Sequence, residues 1–494
     1  MNRQIARLGA VGLGMLIVLV VATTYWQTWA AGGLADRQDN EIQRVAQFTI
    51  KRGLIKAPSG TTLARNVLKR EGGKTLYFRR YPAATLAPHV VGYSTQSRSR
   101  AGLERSQNDY LTASNANLST VLNTTIDKLK GATIVGNDLV LTLNARAQQV
   151  ANESLAGECG AAVALDVATG KVLVMASAPT YDPNVIEGAF DRIGRIRAPC
   201  KPPAALVNRA TDGLYIPGST FKVITAAAAL DTGRYTADSR FVDKGYCEEY
   251  GKRVSNYSDQ DGPERFGSVN FVTAMQHSIN SVFCNIGKEL GAATIIEYTK
   301  RFGFYSVPPL ETPVNERQAS GLYDKGKLWE PGDPTEVDPG RFAFGQERLL
   351  VTPLQMAMVA GAIANSGKVM RPFVVDRVLS PSGSIVTRTK PEELGRAVKP
   401  QTAATLRLMM EAVVSGGTGG AAAIPGLVVG GKTGTAETGV DNSNTTWFIC
   451  YAGKDRPQVA VAVALEGQRG TGGSTAAPIA RAIVQALLGS AANS

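Results

Sequence analysis

Histidine is almost missing from this sequence. Only His89 and His277 occur among 494 residues, far apart, so neither a histidine-based catalytic triad nor a zinc site has much to draw on. Cysteine is sparse as well. Five residues with no C-x-x-C spacing are too few and too scattered for a disulfide scaffold, and at most two bridges can form. Cys159 and Cys450 lie in apolar, strand-like runs and read as buried thiols. Cys247 is left to bridge to Cys200 or to Cys284 in an oxidising compartment. Charged residues are only 19% of the chain against 44% hydrophobic, a globular balance that argues against wholesale disorder. No internal repeat or low-complexity tract stands out. The length suggests about three units, with one large enzyme domain also allowed.

Acidic residues are also in deficit, and the deficit is local. The net charge is +12, and between Lys51 and Arg105 twelve Lys and Arg face only Glu71 and Glu104, an excess of +10. Ahead of that segment runs "LGAVGLGMLIVLVVATTYWQTWA", Leu8 to Ala30, with no charge and with Tyr25, Trp26 and Trp29 at its far end. About 20 apolar residues cross a bilayer, and aromatics favour its interface. Arg3 and Arg7 bias the short tail, residues 1–7, toward the cytoplasm. The run exceeds a typical signal-peptide core, so an uncleaved single-pass anchor over 8–30 is expected, with everything beyond it extracytoplasmic. Nucleic acid is then a poor partner for the basic segment. Anionic lipid headgroups, cell-wall polymers or plain solvation remain.

Residues 31–138 mix short apolar stretches with Gly, Pro and Ser and read as a small α+β module. From residue 139 the texture changes. "DLVLTLNARAQQVANESL" gives a strand and then a helix, and "CGAAVALDVATGKVLVMASAP" a hairpin turning at Ala168 to Gly170. "TTWFICYAGKDRPQVAVAVALEG" is a second hairpin turning at Lys454 to Pro457, followed by a helix in "STAAPIARAIVQALLG". Between them lie helical patterns at Phe221 to Asp231, Val272 to Leu290, Ala292 to Phe302, Pro353 to Asn365 and Thr402 to Val414. The expected fold is α/β, with an antiparallel sheet built from the extremities of residues 139–494, flanking helices, and a helical subdomain inserted in the middle. A cleft between the two parts is where a site belongs.

Three short motifs fall in that region. "GLYIPGSTFK" places Ser219 and Lys222 three apart at a helix mouth, so that hydroxyl and amine share a face, a spacing suited to a serine activated by a lysine. Alone, Ser219 would more readily be a cap. It is, however, the only serine in the chain with lysine at +3. Ser278 and Asn280 form an S-x-N inside a helical pattern, a spacing that recurs at Ser106 and Ser268. Lys432-Thr433-Gly434 is the only K-T-G and follows a β-like run.

In this order the three motifs form the signature of serine β-lactamases and penicillin-binding proteins. With "ATGKVLVMAS", "VTPLQMA" and "GKTGTAE", residues 139–488 resemble the transpeptidase domain of penicillin-binding proteins. The resemblance implies Ser219 as nucleophile, Lys222 as its base, Ser278 as a proton relay and Asn280 as orienter of Lys222 and of a substrate amide. It implies Lys432, Thr433, Gly434 and Thr435 as the carboxylate-binding strand, and the backbone N–H groups of Ser219 and Thr435 as oxyanion hole. The substrate is the D-Ala-D-Ala end of a peptidoglycan stem peptide, mimicked by β-lactams, and no cofactor or metal is called for. Trp447 and Glu437, near the K-T-G strand, fit packing or surface roles better than catalysis.

About 105 residues between anchor and catalytic domain leave no room for a glycosyltransferase. This points to a monofunctional class B member of penicillin-binding protein A type. "RGLI" at Arg52, "HVVGY" at His89 and "AGLERSQNDYL" at Ala101 resemble the class B pedestal, although "KAPSG" stands where an Asp-Arg pair is usual. The resemblance implies docking of that pedestal on a polytopic glycan polymerase. A β-lactamase would need a Glu-x-x-Leu-Asn-like base, which is missing, and a β-lactam sensor would need further spans or a cytoplasmic effector.

Overall fold

The computed structural model describes residues 2–25, 48–71, 73–114, 133–200, 202–259, 262–440 and 443–489. Helix α1 spans Asn2–Tyr25, with Val11, Leu13 and Met15 through Val21 exposed. Among the described residues no helix is long and apolar enough to cross a membrane. The predicted span continues to Ala30, outside the described residues.

The pedestal is built on β1 (Ile55–Lys56), β2 (Thr62–Glu71), β3 (Lys74–Arg80) and β4 (Asp138–Leu141). Strands β5 (Gly160–Asp166) and β6 (Val172–Ala178) form the predicted hairpin, with Gly170 at φ 80° in its turn. Two later strands, β7 (Val375–Leu379) and β8 (Ile385–Arg388), return to the first sheet, whose order is β8-β7-β4-β1-β2-β3. That sheet draws strands from both sides of residue 138. The second sheet adds β9 (Val428–Val440), β10 (Ser443–Gly453) and β11 (Val459–Gln468) in the order β9-β10-β11-β5-β6, all antiparallel. Both hairpins from the ends of the catalytic region therefore meet in one sheet, as expected.

After α1, the described helices longer than five residues are α2 (Ala145–Ser154), α3 (Lys222–Asp231), α4 (Phe271–Gln276), α5 (Asn280–Arg301), α6 (Pro353–Ala364), α7 (Pro400–Gly416) and α8 (Ala476–Leu488). Side chains on a strand alternate between faces. Ala161, Val163 and Ala462 join a core with α6, while Ala162, Ala164, Val461 and Val463 join another with α2 and α8. Both faces are covered, which is why "VAVAVALEG" shows no polar alternation. Every residue of α6 is buried, and Thr352 caps its first turn through Gln355 N. Helix α3, rich in alanine, is buried nearly all round, as expected of a helix with no polar face.

Two expectations need correction. Cys159 is no free thiol; it bridges Cys200, with Cα atoms 5.7 Å apart, because the loop after residue 194 folds back over the start of β5. Cys247 takes Cys284, at 6.3 Å, and Cys450 remains a buried thiol. The carboxylate of Glu249 lies near both Cys247 and Cys284 sulfurs, but a disulfide offers no thiolate to a metal. The pattern from Val272 to Leu290 is not one helix. It breaks between α4 and α5, where Ser278 takes φ 58°; a second kink at Gly291 (φ 74°) matches the expected boundary before Ala292.

The basic pedestal is only partly a surface property. Arg52 and Arg79 are both ion-paired to the buried Glu104 at 2.9 and 2.6 Å, and Arg52 also donates to Asn108. Burial draws the Arg52 guanidinium below its usual range. Burial also opposes ionisation of Glu104, but Arg79 and Arg52 outweigh it and hold the carboxyl below its ordinary value.

Candidate active site

The segment before α3 is fixed from several sides. Tyr215 and Val351 exchange backbone hydrogen bonds at 2.9 and 2.8 Å, and the buried Trp447 indole donates to Ile216 O at 2.9 Å. Gly218 follows at φ 51°, with Thr435 O only 3.0 Å from where a Cβ would stand; a side chain there would be both strained and crowded, which favours glycine. One 3-10 turn, Gly218–Phe221, then runs into α3 and presents Ser219, half-buried, at the helix mouth. Trp447 is thus a packing residue, as expected, and it packs the loop that presents Ser219.

Lys222, fully buried, does not spend its amine on Ser219. Its Nζ donates to Ser278 O and Asn280 Oδ1, each at 2.6 Å, and lies 3.2 Å from Ser278 Oγ. The Ser219 hydroxyl has no hydrogen-bond partner among the described residues. Burial, and then the charge of Lys432, push Lys222 well below the usual lysine range. A neutral amine has two N–H groups, which the two carbonyl oxygens take up. Its lone pair stays free for a proton.

Ser278 Oγ stands between two amines, since Lys432 Nζ approaches it at 2.8 Å and also donates to Thr433 O at 3.0 Å. Its positive φ, uncommon for serine, turns this hydroxyl to both lysines. Asn280 Nδ2 donates to Ser255 O at 3.1 Å, which fixes its oxygen toward Lys222. Lys432 is also fully buried, and burial lowers it to about 7.

Strand β9 is an edge, paired only to β10 in its sheet. Gly434 lies against the loop before Ser219, and a Cβ there would meet Pro217 O at 2.8 Å. The Thr433 hydroxyl meets Thr418 at 2.6 Å, and Thr435 Oγ1 accepts from Gly472 N at 3.2 Å. All eight residues singled out from the sequence therefore converge.

Three supporting residues escaped the sequence reading: Thr418, Asp243 and Asn256. Asn256 Oδ1 accepts from Ser281 N at 2.9 Å, and Asp243 accepts from the Ser281 hydroxyl, Asn256, Gly245 N and Phe266 N. This buried knot anchors the start of α5 directly after Ser278 and Asn280. Burial opposes the Asp243 charge, but these donors hold the carboxyl below its ordinary value. A lone Asp and a lone Asn carry no spacing signal, so nothing in the sequence marks them.

Residues 160–485 match the penicillin binding protein transpeptidase domain, and residues 52–139 the penicillin binding protein A dimerisation domain. The chain is 35% identical, over 99% of both sequences, to the peptidoglycan D,D-transpeptidase PbpA of Mycolicibacterium smegmatis. It superposes on penicillin-binding protein A from M. tuberculosis, in an imipenem acyl-enzyme complex, with a TM-score of 0.77 at 31% identity, covering 89% of this chain and 99% of the other. A D,D-transpeptidase domain from Eggerthella lenta gives 0.73 at 33% identity, covering 89% and 98%. Matched in sequence across nearly its whole length, and in fold across both the pedestal and the catalytic sheet, the chain belongs to the penicillin-binding protein transpeptidase family.

Proposed function

We propose that the protein is a peptidoglycan D,D-transpeptidase that cross-links stem peptides through an ester on Ser219. The observation that carries this reading is the Lys222–Ser278–Lys432 chain beside a free serine hydroxyl. Ser219 Oγ attacks the carbonyl of the penultimate D-alanine and gives its proton to the neutral Lys222. The developing oxyanion lies at the backbone N–H groups of Ser219 and Thr435. The C–N bond breaks, and the departing D-alanine takes the proton from Lys222 by way of Ser278. An amine of a second stem then attacks the ester; its proton passes to Lys222 and on to Ser219, restoring the hydroxyl. Lys432, Thr433 and Thr435 hold the terminal carboxylate, and the open edge of β9 accepts the peptide as an added strand. A β-lactam enters the same path as far as the ester.

Incubating the protein with a stem pentapeptide and a labelled amine acceptor should release D-alanine and yield the mass of the cross-linked product. Release of D-alanine with water as sole acceptor would instead indicate a carboxypeptidase.

The two lysines set the pH dependence. Acylation efficiency reports the free enzyme, so its acid limb follows Lys222, which must be neutral. With a carboxylate-bearing ligand its alkaline limb follows Lys432, which loses charge above about pH 7. Lys432→Arg keeps the cation and should move that limb upward by more than two pH units, since guanidinium stays protonated past pH 12. An unchanged alkaline limb would show that Lys432 does not carry it. For stability the slope has the same sign as that of a carboxylate with a depressed pKa, here because the penalty of the buried charge is relieved as pH rises. The folded Lys432 has a depressed pKa, so the unfolded chain holds more protons between about pH 7 and 10.5 and this contribution grows with pH there.

The charge-free run from Leu8 to Ala30 supports a single-pass anchor, with residues 31–138 as pedestal and 139–494 as catalytic domain in the extracytoplasmic space. By family analogy the pedestal meets a polytopic glycan polymerase. Its exposed cations Arg65, Lys69, Arg70 and Arg80 are available to that partner or to anionic lipid.

A further inference from the structure

A cavity of about 580 Å³ opens beside the far end of β9. It is lined by Ile216, Tyr323, Glu347, Arg348, Leu350 and Glu437, among others. Ile216 is three residues from Ser219, and Glu437 five from Lys432, so the cavity continues the cleft away from the carboxylate end. Arg348 is already neutralised: it lies 3.2 Å from Glu347 and 3.7 Å from Asp324, stacks over Trp329, and donates to Glu336 O. Glu437 has no ion-pair partner among the described residues.

Peptide direction decides what reaches this cavity. A stem peptide added antiparallel to β9, with its carboxylate at Lys432 and Thr433, runs back toward Glu437 as one moves upstream from its C-terminus. Two residues span about 7 Å of strand. This places the residue before the two D-alanines near the level of Thr435 to Glu437. Thr433, Thr435 and Glu437 also alternate onto one face of the strand. Donor and acceptor stems share one chemistry, so the donor carries the same kind of amine that attacks as acceptor.

We propose that the cavity beside Ile216 and Glu437 is the subsite for the donor stem's amine-bearing side chain, with Glu437 as its counter-charge. The proposal rests on the transpeptidase reading. It gives Glu437 a substrate contact, not a part in the chemistry.

The test uses the full-length protein in detergent, one small amine acceptor in large excess throughout, and two synthetic peptides ending in D-Ala-D-Ala, one preceded by lysine and one by its uncharged isostere norleucine. Initial release of D-alanine should favour the lysyl peptide by roughly two- to fivefold, the range of a partly exposed ion pair. Glu437→Gln should bring the ratio to about one, and Glu437→Lys should invert it. Penicillin acylation, which lacks that side chain, should stay within twofold of wild type in both variants. A preference for lysine that survives both substitutions overturns the subsite. So does a Glu437→Gln variant that releases D-alanine normally and slows only transfer to an amine, since the cavity would then serve the acceptor. If wild type acylates with penicillin but releases no D-alanine from either peptide, the transpeptidase reading fails and the subsite falls with it.

Discussion

Ser219→Ala is expected to abolish covalent labelling by penicillin and to reduce D-alanine release by a factor on the order of 10⁴ or more, as when a nucleophile is removed from a unit that acts together. In wild type the adduct should survive denaturation and map to the peptide containing Ser219. Lys222→Ala should come close to the same loss, because Lys432, the other amine of the chain, is joined to it only through Ser278 and is assigned to the substrate carboxylate. The double variant should be little worse than either single one. Persistent labelling of the alanine variant, or an adduct on another serine, would place the nucleophile elsewhere. Because no deacylating glutamate stands in the sequence, the adduct should also be long-lived. Rapid penicillin turnover would favour a β-lactamase.

The second large effect lies far from the serine. Glu104→Ala leaves the Arg52 and Arg79 guanidiniums without their carboxylate in a site where Arg52 is only 4% exposed. Breaking such a buried pair costs about 3–5 kcal/mol, so the melting temperature should fall sharply. Replacing all three by Met, Leu and Met should recover most of the loss, because then no charge is left unpaired. A Glu104→Ala protein that melts as wild type would refute this account of the pedestal. The pH sign follows from the depressed carboxyl: the contribution is present above the ordinary carboxylate range and is lost as acid protonates Glu104. The effect reaches the catalytic domain too. The helix Gly102–Ser106 that carries Glu104 is held at Gly102 N by the Glu316 carboxylate at 3.1 Å, and Glu316 O accepts from Thr211.

How much of this was legible beforehand depended on how local each feature is. Ser219 and Lys222 sit within one turn, and both terminal hairpins carry their turn residues between their strands, so the chain itself brings their parts together. Lys432-Thr433-Gly434 is one continuous strand. For these, a short window holds all the physics, and the ordered motifs supplied the family.

Features joined across the chain were not legible in that way. The acceptors of Lys222 come from residues 278 and 280, after a break that helical periodicity does not show, because one residue at positive φ leaves the apolar spacing on either side intact. Which cysteine Cys159 meets depends on where a loop crosses a strand, and spacing leaves every pairing open. Arg52 and Arg79 count as surface charge in any composition. Only the fold brings Glu104 between them. Strands β7 and β8 join the pedestal sheet from more than 200 residues away from β4, a pairing fixed by backbone hydrogen bonds that any apolar strand could satisfy. The sequence by itself thus determined the candidate serine and lysines, the order of the motifs and the elements that carry them, since these depend on neighbours in the chain. The protonation of the two lysines, the cysteine pairing and the buried pedestal charges were decided by tertiary structure alone, since burial and electrostatic partners exist only once distant segments have packed.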